Sequence, residues 1–380
     1  MTVTLQVLDQ LVGFDTVSAK SNAPIIDYIE AFLRERGAQT ARIPGGVEGK
    51  CGLFAWIGPV AGGGILLSGH TDVVPVDGQA WTRAPFALGR EGDLLYGRGT
   101  TDMKGYLACM LYAADMAAKA RLREPLKLVF SYDEEIGCVG IQQMLPALTP
   151  HLAAPRACFV GEPTSMQIAT GHKGKAALRA ICHGQNGHSA LAPNFVNALY
   201  LAADFIRELR DLQGWLTAFG AQDTAYGVPC STVHVGKLSG GTALNIVPAR
   251  AELLFEYRHL AADAPEMLMT RIHEAAENAT APHRDQWPEA RIEIDRYNAY
   301  PGLDVPEDAD IARLAQGLSG SGLTKVAFGT EAGVFHELGL PVVVCGPGSM
   351  AQGHQPDEYI EAGQIAACEK MMREIVDTLT

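Results

Sequence analysis

No run of Lys and Arg occurs anywhere in the chain, and 43 acidic residues outnumber 30 basic ones, for a formal charge of −13. Nucleic acid and an anionic membrane surface both need clustered cations, so neither is expected as a partner. Long apolar runs are also missing: no segment approaches the roughly 18 consecutive apolar residues of a bilayer span. The opening MTVTLQVLDQLVGFDTVS has no basic segment followed by an apolar stretch, so no secretory leader is expected. The eight cysteines (Cys51, Cys109, Cys138, Cys158, Cys182, Cys230, Cys345 and Cys368) form no CxxC pair, which argues against a disulfide frame or a thiolate metal site. They read as reduced, buried small apolar residues of a cytoplasmic protein. The glycine-rich GGG and GGTALN lack the context of a GxGxxG or GKS/GKT nucleotide site. There is neither a repeat of roughly 20 to 50 residues nor a low-complexity tract.

What is present is a soluble globular composition, 47% hydrophobic and 19% charged, in 380 residues. That length exceeds a usual single core, so two domains are expected. Up to about His172 helical and strand-like segments alternate: a helix with Leu5, Leu8, Leu11 and Val12 on one face, and a second from Pro24 to a stop at Gly37. Strand-like LFAWI and GGGILLSG follow, then a helix after Asp102, the strand LKLVFSY, a helix toward Leu148 and the strand ACFVG. This is an α/β layer with a mixed, mostly parallel sheet flanked by helices. Between Lys175 and Asp295 the order becomes strand, helix (Asn194 to about Leu212), strand, strand, helix, strand. That βαββαβ order is ferredoxin-like and predicts an inserted domain over 175–295. Residues 1–174 and 296–380 then form the catalytic domain, closing with a helix from about Ala362 to Thr380.

Five potential metal ligands are spread along the chain: His70, Asp102, Glu135, Glu162 and His354. His70 closes ILLSGH, Glu162 closes ACFVGE, Glu135 follows LKLVFSYDE, and Asp102 follows LLYGRGTTD through a glycine-rich turn. Ligand sites in α/β sheets gather at the carboxyl ends of strands, so this placement points to one site built from several loops. Two imidazoles with carboxylates suit Zn²⁺ or Co²⁺ and are too nitrogen-rich for a Ca²⁺ or Mg²⁺ cage. Five ligands exceed one tetrahedral ion, and a pair of cations sharing a carboxylate uses them all, with Asp102 as the candidate bridge. Asp72, two residues after His70, is placed to take the other ring N–H. In the tandem pair, Glu135 is assigned to metal and Glu134 to general base, since neighbouring residues point in different directions.

The segments SGHTDVVP, GRGTTDMKG, SYDEEIGCVG, GEPTS, NGHSA, GTEAG and GPGSMAQGHQPDEY, in this order, resemble the M20 family of metallopeptidases and deacylases. WTRAPF and the GHKG after GEPTS make the likeness strongest to its acetylornithine deacetylase branch. The resemblance implies an α/β catalytic domain interrupted by a dimerising lid, and two Zn²⁺ per subunit, with Co²⁺ as the substitute. It implies that His70, Asp102, Glu135, Glu162 and His354 bind metal, with Glu134 as base and Asp72 behind His70. His188 in NGHSA matches the lid histidine that stabilises the oxyanion in the partner subunit's site. Asn245 and Arg258 match lid positions that hold the substrate carboxylate. Relatives commonly show DFR or DIR where this chain has EYR, and an ion pair of Arg258 with Glu252 or Glu256 is the alternative for that residue. For His188 and Asn245 the alternative is an ordinary loop cap. Gly329, Thr330 and Glu331 correspond to the loop beside the acyl and side-chain pocket, where Glu331 fits a substrate with a free δ-amine.

The expected activity is hydrolysis of N-acetyl-L-ornithine to L-ornithine and acetate, a step of arginine biosynthesis, by a cytoplasmic homodimer. Two rivals stay open. One is another deacylase or dipeptidase of the same fold, such as a succinyl-diaminopimelate desuccinylase or an N-acyl amino acid amidohydrolase. The other is a metal-binding dimerisation protein without catalysis, against which the presence of Glu134 beside all five ligands speaks.

Overall fold

The computed structural model describes residues 2–60 and 62–380. Helices α1 (Val3–Val12) and α2 (Ala23–Arg34) open the chain, followed by strands β1 (Gln39–Pro44), β2 (Cys51–Ile57) and β3 (Ile65–His70). Next come α3 (Gly105–Ala117), β4 (Leu126–Ser131), α4 (Val139–Leu152), β5 (Ala157–Pro163) and β6 (Ile168–His172). A second run consists of β7 (Gly174–His183), α5 (Ala198–Phe219), β8 (Thr232–Gly240), β9 (Arg250–His259), α6 (Pro265–Thr280) and β10 (Arg291–Tyr300). The chain closes with β11 (Leu303–Asp304), α7 (Asp310–Ser319), α8 (Ala332–Glu337), β12 (Val342–Gly346) and α9 (Ala362–Asp377). Two compact units result: one holds the stretch up to Gly171 with Leu303–Val326 and Thr330–Thr380, the other His172–Gly302 with Ala327–Gly329.

The first unit is built on a nine-stranded sheet in the order β1-β2-β4-β3-β5-β12-β6-β11, with Leu323–Val326 pairing β6. Its centre is parallel (β4 with β3, β3 with β5, β5 with β12), and its flanks are antiparallel. All residues of β3, β4, β5 and β12 are buried, which is why these strands read as mainly apolar runs and not as alternation; Lys127 inside β4 is accommodated by donating to Leu152 O at 2.7 Å. Their carboxyl ends lie along one edge, and His70 is the last residue of β3.

Helix α3 packs against α1, α2, α9 and the sheet. It is buried on almost every side, so it carries no amphipathic stripe. Its close approach explains the glycine before each of two candidate ligands. A Cβ on Gly161 would lie 1.9 Å from Tyr106 Cδ1, and one on Gly69 would lie 2.8 Å from Leu107 Cδ2 and 2.6 Å from Met103 Cε in the turn before α3. A side chain at Gly161 would push the buried Tyr106 ring, and α3 with it, off the strand end that carries Glu162, while one at Gly69 would force Met103 and Leu107 to repack beside His70.

In the second unit the antiparallel order β8-β9-β7-β10 is the ferredoxin-like one. Helices α5 and α6 cover one face through Phe205, Leu209, Leu216, Leu268 and Ile272, packed on Leu253 and Phe255. The Phe205–Phe255 rings meet edge to face at 5.6 Å, worth about 1 kcal/mol beyond the area they bury. The helix expected from Asn194 begins later. Ser189–Asn194, which contains Pro193, forms a 3₁₀ turn, and the Asn197 side chain caps α5 by accepting from Leu199 N at 2.9 Å. Among the described residues no helix is long and apolar enough to cross a membrane.

Candidate metal centre

The carboxyl edge of the first unit's sheet gathers side chains from five segments. His70 Nε2 lies 3.2 Å from Asp102 Oδ1 and 3.6 Å from Glu162 Oε1. His354 Nε2 lies 3.1 Å from Asp102 Oδ2 and 3.0 Å from Glu135 Oε2. Two triads thus share one residue: His70, Asp102 and Glu162 on one side, and Asp102, Glu135 and His354 on the other, with the ligand atoms of each triad within 4.8 Å of one another. Asp102 turns one carboxylate oxygen to each triad, the geometry that a bridging carboxylate requires.

The backbone is arranged to deliver these groups. Gly99, at φ +83°, starts a π-helical turn over Thr100–Lys104 that carries Asp102 between β3 and α3. His354 and Asp133 hold left-handed φ values of +62° and +52°. Such backbone costs about 1 kcal/mol or more per residue, so the surrounding structure must enforce it. Lys50 contributes by pairing with Asp133 Oδ1 at 2.6 Å and donating to Ser18 O at 2.7 Å, which ties down the turn before Glu134.

Electrostatically the cluster is starved of cations. Burial raises the pKa of Glu135 to about 8, and the neighbouring Asp102 adds to it. Burial likewise lifts Glu162 well above the carboxylate range and Glu134 to about 7. Burial works against charge on His70, but Glu162, Asp102 and Asp72 outweigh it and raise its pKa well above the ordinary value. Hydrogen bonds to Asp102 and Glu135 raise His354 to about 10. Glu135 Oε1 and Glu162 Oε1 are buried and find no hydrogen-bond donor among the described residues. Crowded carboxylates, two imidazole nitrogens aimed inward and orphaned oxygens fit a pair of divalent cations of the zinc type.

Asp72 does more than the sequence pattern suggests. His70 Nδ1–H donates to the backbone carbonyl of Asp72 at 2.9 Å, and the Asp72 carboxylate Oδ1 stands at 3.4 Å. That carboxylate accepts from Ser18 Oγ at 2.7 Å and from the backbone N–H groups of Glu134 and Glu135 at 3.1 and 3.2 Å. Glu358 is a further buried residue that sequence reasoning passed over. Its Oε1 accepts from the N–H groups of Thr101 and Asp102 at 2.9 and 3.2 Å, and its Oε2 accepts from buried Arg98 at 2.7 Å. Both residues sit inside quoted motifs, GRGTTDMKG and HQPDEY, and that is their only signal in the sequence.

The remaining candidates fall in two places. Thr330 and Glu331 belong to the first unit and are buried, with Thr330 Oγ1 accepting from Ala332 N at 3.0 Å. Both Glu331 oxygens lack a hydrogen-bond partner among the described residues. Burial lifts its pKa to about 7, offset in part by the nearby Ser131 hydroxyl, which falls short of a well-formed hydrogen bond, and by His70. Gly329 belongs to the second unit. In that unit His188 is exposed and lies beside Asn245: Gly187–His188 pairs with Ile246–Val247, and Ser189 N donates to Asn245 O at 3.1 Å. His188 Nδ1 accepts from Ala190 N at 3.1 Å, so the neutral ring carries its proton on Nε2 as an outward donor. Arg258 Nε pairs with Glu256 Oε1 at 3.0 Å.

The model of peptidase family M20/M25/M40 matches residues 66–378. The chain belongs to that family. It is accordingly an amide-bond hydrolase. An acetylornithine deacetylase of Salmonella arizonae is 33% identical over 382 aligned positions, covering 98% of this chain and 96% of that protein. Among solved structures, an M20 family metallo-carboxypeptidase from Sulfolobus solfataricus aligns over 99% of both chains with TM-score 0.79 and 20% identity. The YXEP protein of Bacillus subtilis, described as a dinuclear metal binding peptidase from the M20 family, aligns over 99% of this chain and 97% of its own with TM-score 0.69 and 16% identity. Within the M20 frame, the paired triads around Asp102 are this member's candidate metal centre.

Proposed function

We propose that this M20 member is a metal-dependent deacetylase of N-acetyl-L-ornithine, releasing acetate and L-ornithine in arginine biosynthesis. The observation that carries the reading is the shared position of Asp102 between two His–carboxylate triads, in a chain with full-length similarity to a protein named acetylornithine deacetylase. His70, Glu162 and Asp102 would hold one cation, and His354, Glu135 and Asp102 the other. Zn²⁺ or Co²⁺ bound there supplies Lewis acidity, polarising the scissile carbonyl and making a water acidic enough to attack near neutral pH.

The chain's own residues do the rest. Glu134 takes the proton of the attacking water on its carboxylate and passes it to the leaving amine nitrogen. Asp72 keeps Glu134 and Glu135 in register by holding both of their backbone N–H groups. His188 presents an Nε2–H suited to the developing oxyanion, in the role that the family resemblance gives it in a second copy's site. Asn245 and Arg258 hold the substrate's carboxylate. Gly329, Thr330 and Glu331 border the side-chain pocket, where the unpaired Glu331 carboxylate favours a cationic substrate over an apolar one. We assign the active form as a homodimer built through the second unit, where Tyr200, Leu238, Leu244 and Ile246 are exposed. Eight free cysteines agree with a cytoplasmic setting.

The test is acetate or succinate release by the metal-reconstituted enzyme from N-acetylornithine, N-succinyl-diaminopimelate and N-acetylmethionine. The highest kcat/KM is expected on N-acetylornithine. Equal or greater efficiency on either of the others would remove this substrate assignment while leaving the amidohydrolase reading in place.

A further inference from the structure

Cys138 stands where α4 begins, fully buried, with its backbone in the left-handed region at φ +54° and ψ +34°. For a residue with a Cβ that conformation is unfavourable, and glycine or asparagine usually takes such positions. The strained turn is closed on Glu134, since the N–H groups of Gly137 and Cys138 both donate to Glu134 O at 2.8 Å. It swings the thiol back onto the carboxylate, with Cys138 Sγ donating to Glu134 Oε1 at 3.2 Å. Glu134 is thereby held at three points: its N–H by Asp72 at 3.1 Å, its carbonyl by the turn, and its side chain by the thiol.

We propose that Cys138 is a positioning residue for the general base: its S–H holds Oε1 of Glu134 so that Oε2 is presented to the attacking water. The inference rests on the reading of Glu134 as the base. A carboxylate on a side chain with three free torsions samples many orientations, and a fixed donor on one oxygen selects among them. A thiol suits the task because it is a weak donor. It fixes direction while drawing less basicity from the carboxylate than a hydroxyl or ammonium would. Burial and the adjacent Glu134 and Glu331 carboxylates push the Cys138 thiol well above its ordinary pKa, so it keeps the proton it donates.

The experiment pairs kinetics with the infrared S–H stretching band. The wild-type minus C138S difference spectrum isolates the Cys138 band, and the same difference in the E134A background removes the acceptor. The band is expected at lower wavenumber with Glu134 present than in E134A, in metal-free and metal-loaded protein alike. In kinetics, C138A is expected to lose about tenfold in kcat with KM within about twofold, and C138S to recover part of the loss. A band unmoved by E134A, or a C138A enzyme with full kcat, overturns the positioning role. Wild-type turnover by E134A would instead sink the assignment of the base, so the two failures are told apart.

Discussion

Replacing Glu358 by Gln should loosen the candidate metal centre without touching a ligand. Glu358 and Arg98 are each 1% exposed, and the pair is joined at 2.7 Å. Glu358 Oε1 holds the N–H groups of Thr101 and Asp102, and Arg98 reaches Gln79, whose Nε2 donates to His354 O at 2.9 Å. One buried ion pair therefore stands behind both Asp102 and the His354 loop. Burial and the Asp102 charge raise the Glu358 pKa in spite of Arg98, so the intact pair contributes little net stability. Removing one partner is another matter. A carboxamide leaves the guanidinium charged in a dry site and turns an NH₂ toward existing donors, a loss of about 3 to 5 kcal/mol. Urea unfolding of the metal-free protein, followed by tryptophan fluorescence, should show that loss as a lower midpoint with unchanged slope. Competition with a chromophoric chelator should show about 10- to 100-fold weaker zinc binding. An E358Q protein within about 0.5 kcal/mol of wild type and with unaltered zinc affinity would refute the reasoning.

Dialysis against a chelator should abolish turnover, and added Zn²⁺ or Co²⁺ should restore it; full activity in protein that atomic absorption shows to be metal-free would contradict this. Glu331→Ala should lower kcat/KM on N-acetylornithine relative to N-acetylmethionine by about tenfold, and an unchanged ratio would take Glu331 out of the specificity pocket. Away from the site, burial opposes ionisation of Glu30, but hydrogen bonds from Arg42 and Thr40 outweigh it and hold its pKa below the ordinary 4.5. The unfolded chain therefore binds this proton first as pH drops, so the stabilisation is complete above about pH 4.5 and fades as pH falls through the folded value. Because Arg42 is partly exposed and screened, E30Q should cost only about 1 kcal/mol at pH 7 and progressively less as pH falls below about 4.5 toward 3. A cost that stays constant between those pH values would rule out this ion pair as its source.

Much of the layout is legible from local pattern. The runs in β3, β4, β5 and β12 are mainly apolar because a parallel sheet is buried on both faces, and the residues at or just past their ends inherit the carboxyl edge. The βαββαβ order marks the second unit because each strand and helix there keeps its own period. Other features have no local signal. Gly89–Glu91, Leu94–Tyr96 and Tyr359–Glu361 form a three-stranded sheet from pieces too short to show alternation. Arg98 and Glu358 are 260 positions apart, and neither residue type predicts burial. Asp72 reads naturally as a partner of His70, yet its carboxylate binds backbone N–H groups 62 and 63 positions away, which no side-chain motif announces. The start of α5 shifts to Ala198 because Pro193 belongs to a separate 3₁₀ turn.

The most direct test of the account is anomalous diffraction at the zinc edge from crystals of the reconstituted protein. Two peaks flanking Asp102 are predicted, one among His70 and Glu162 and the other among Glu135 and His354. A single ion that leaves one triad empty, or zinc bound away from Asp102, would contradict it.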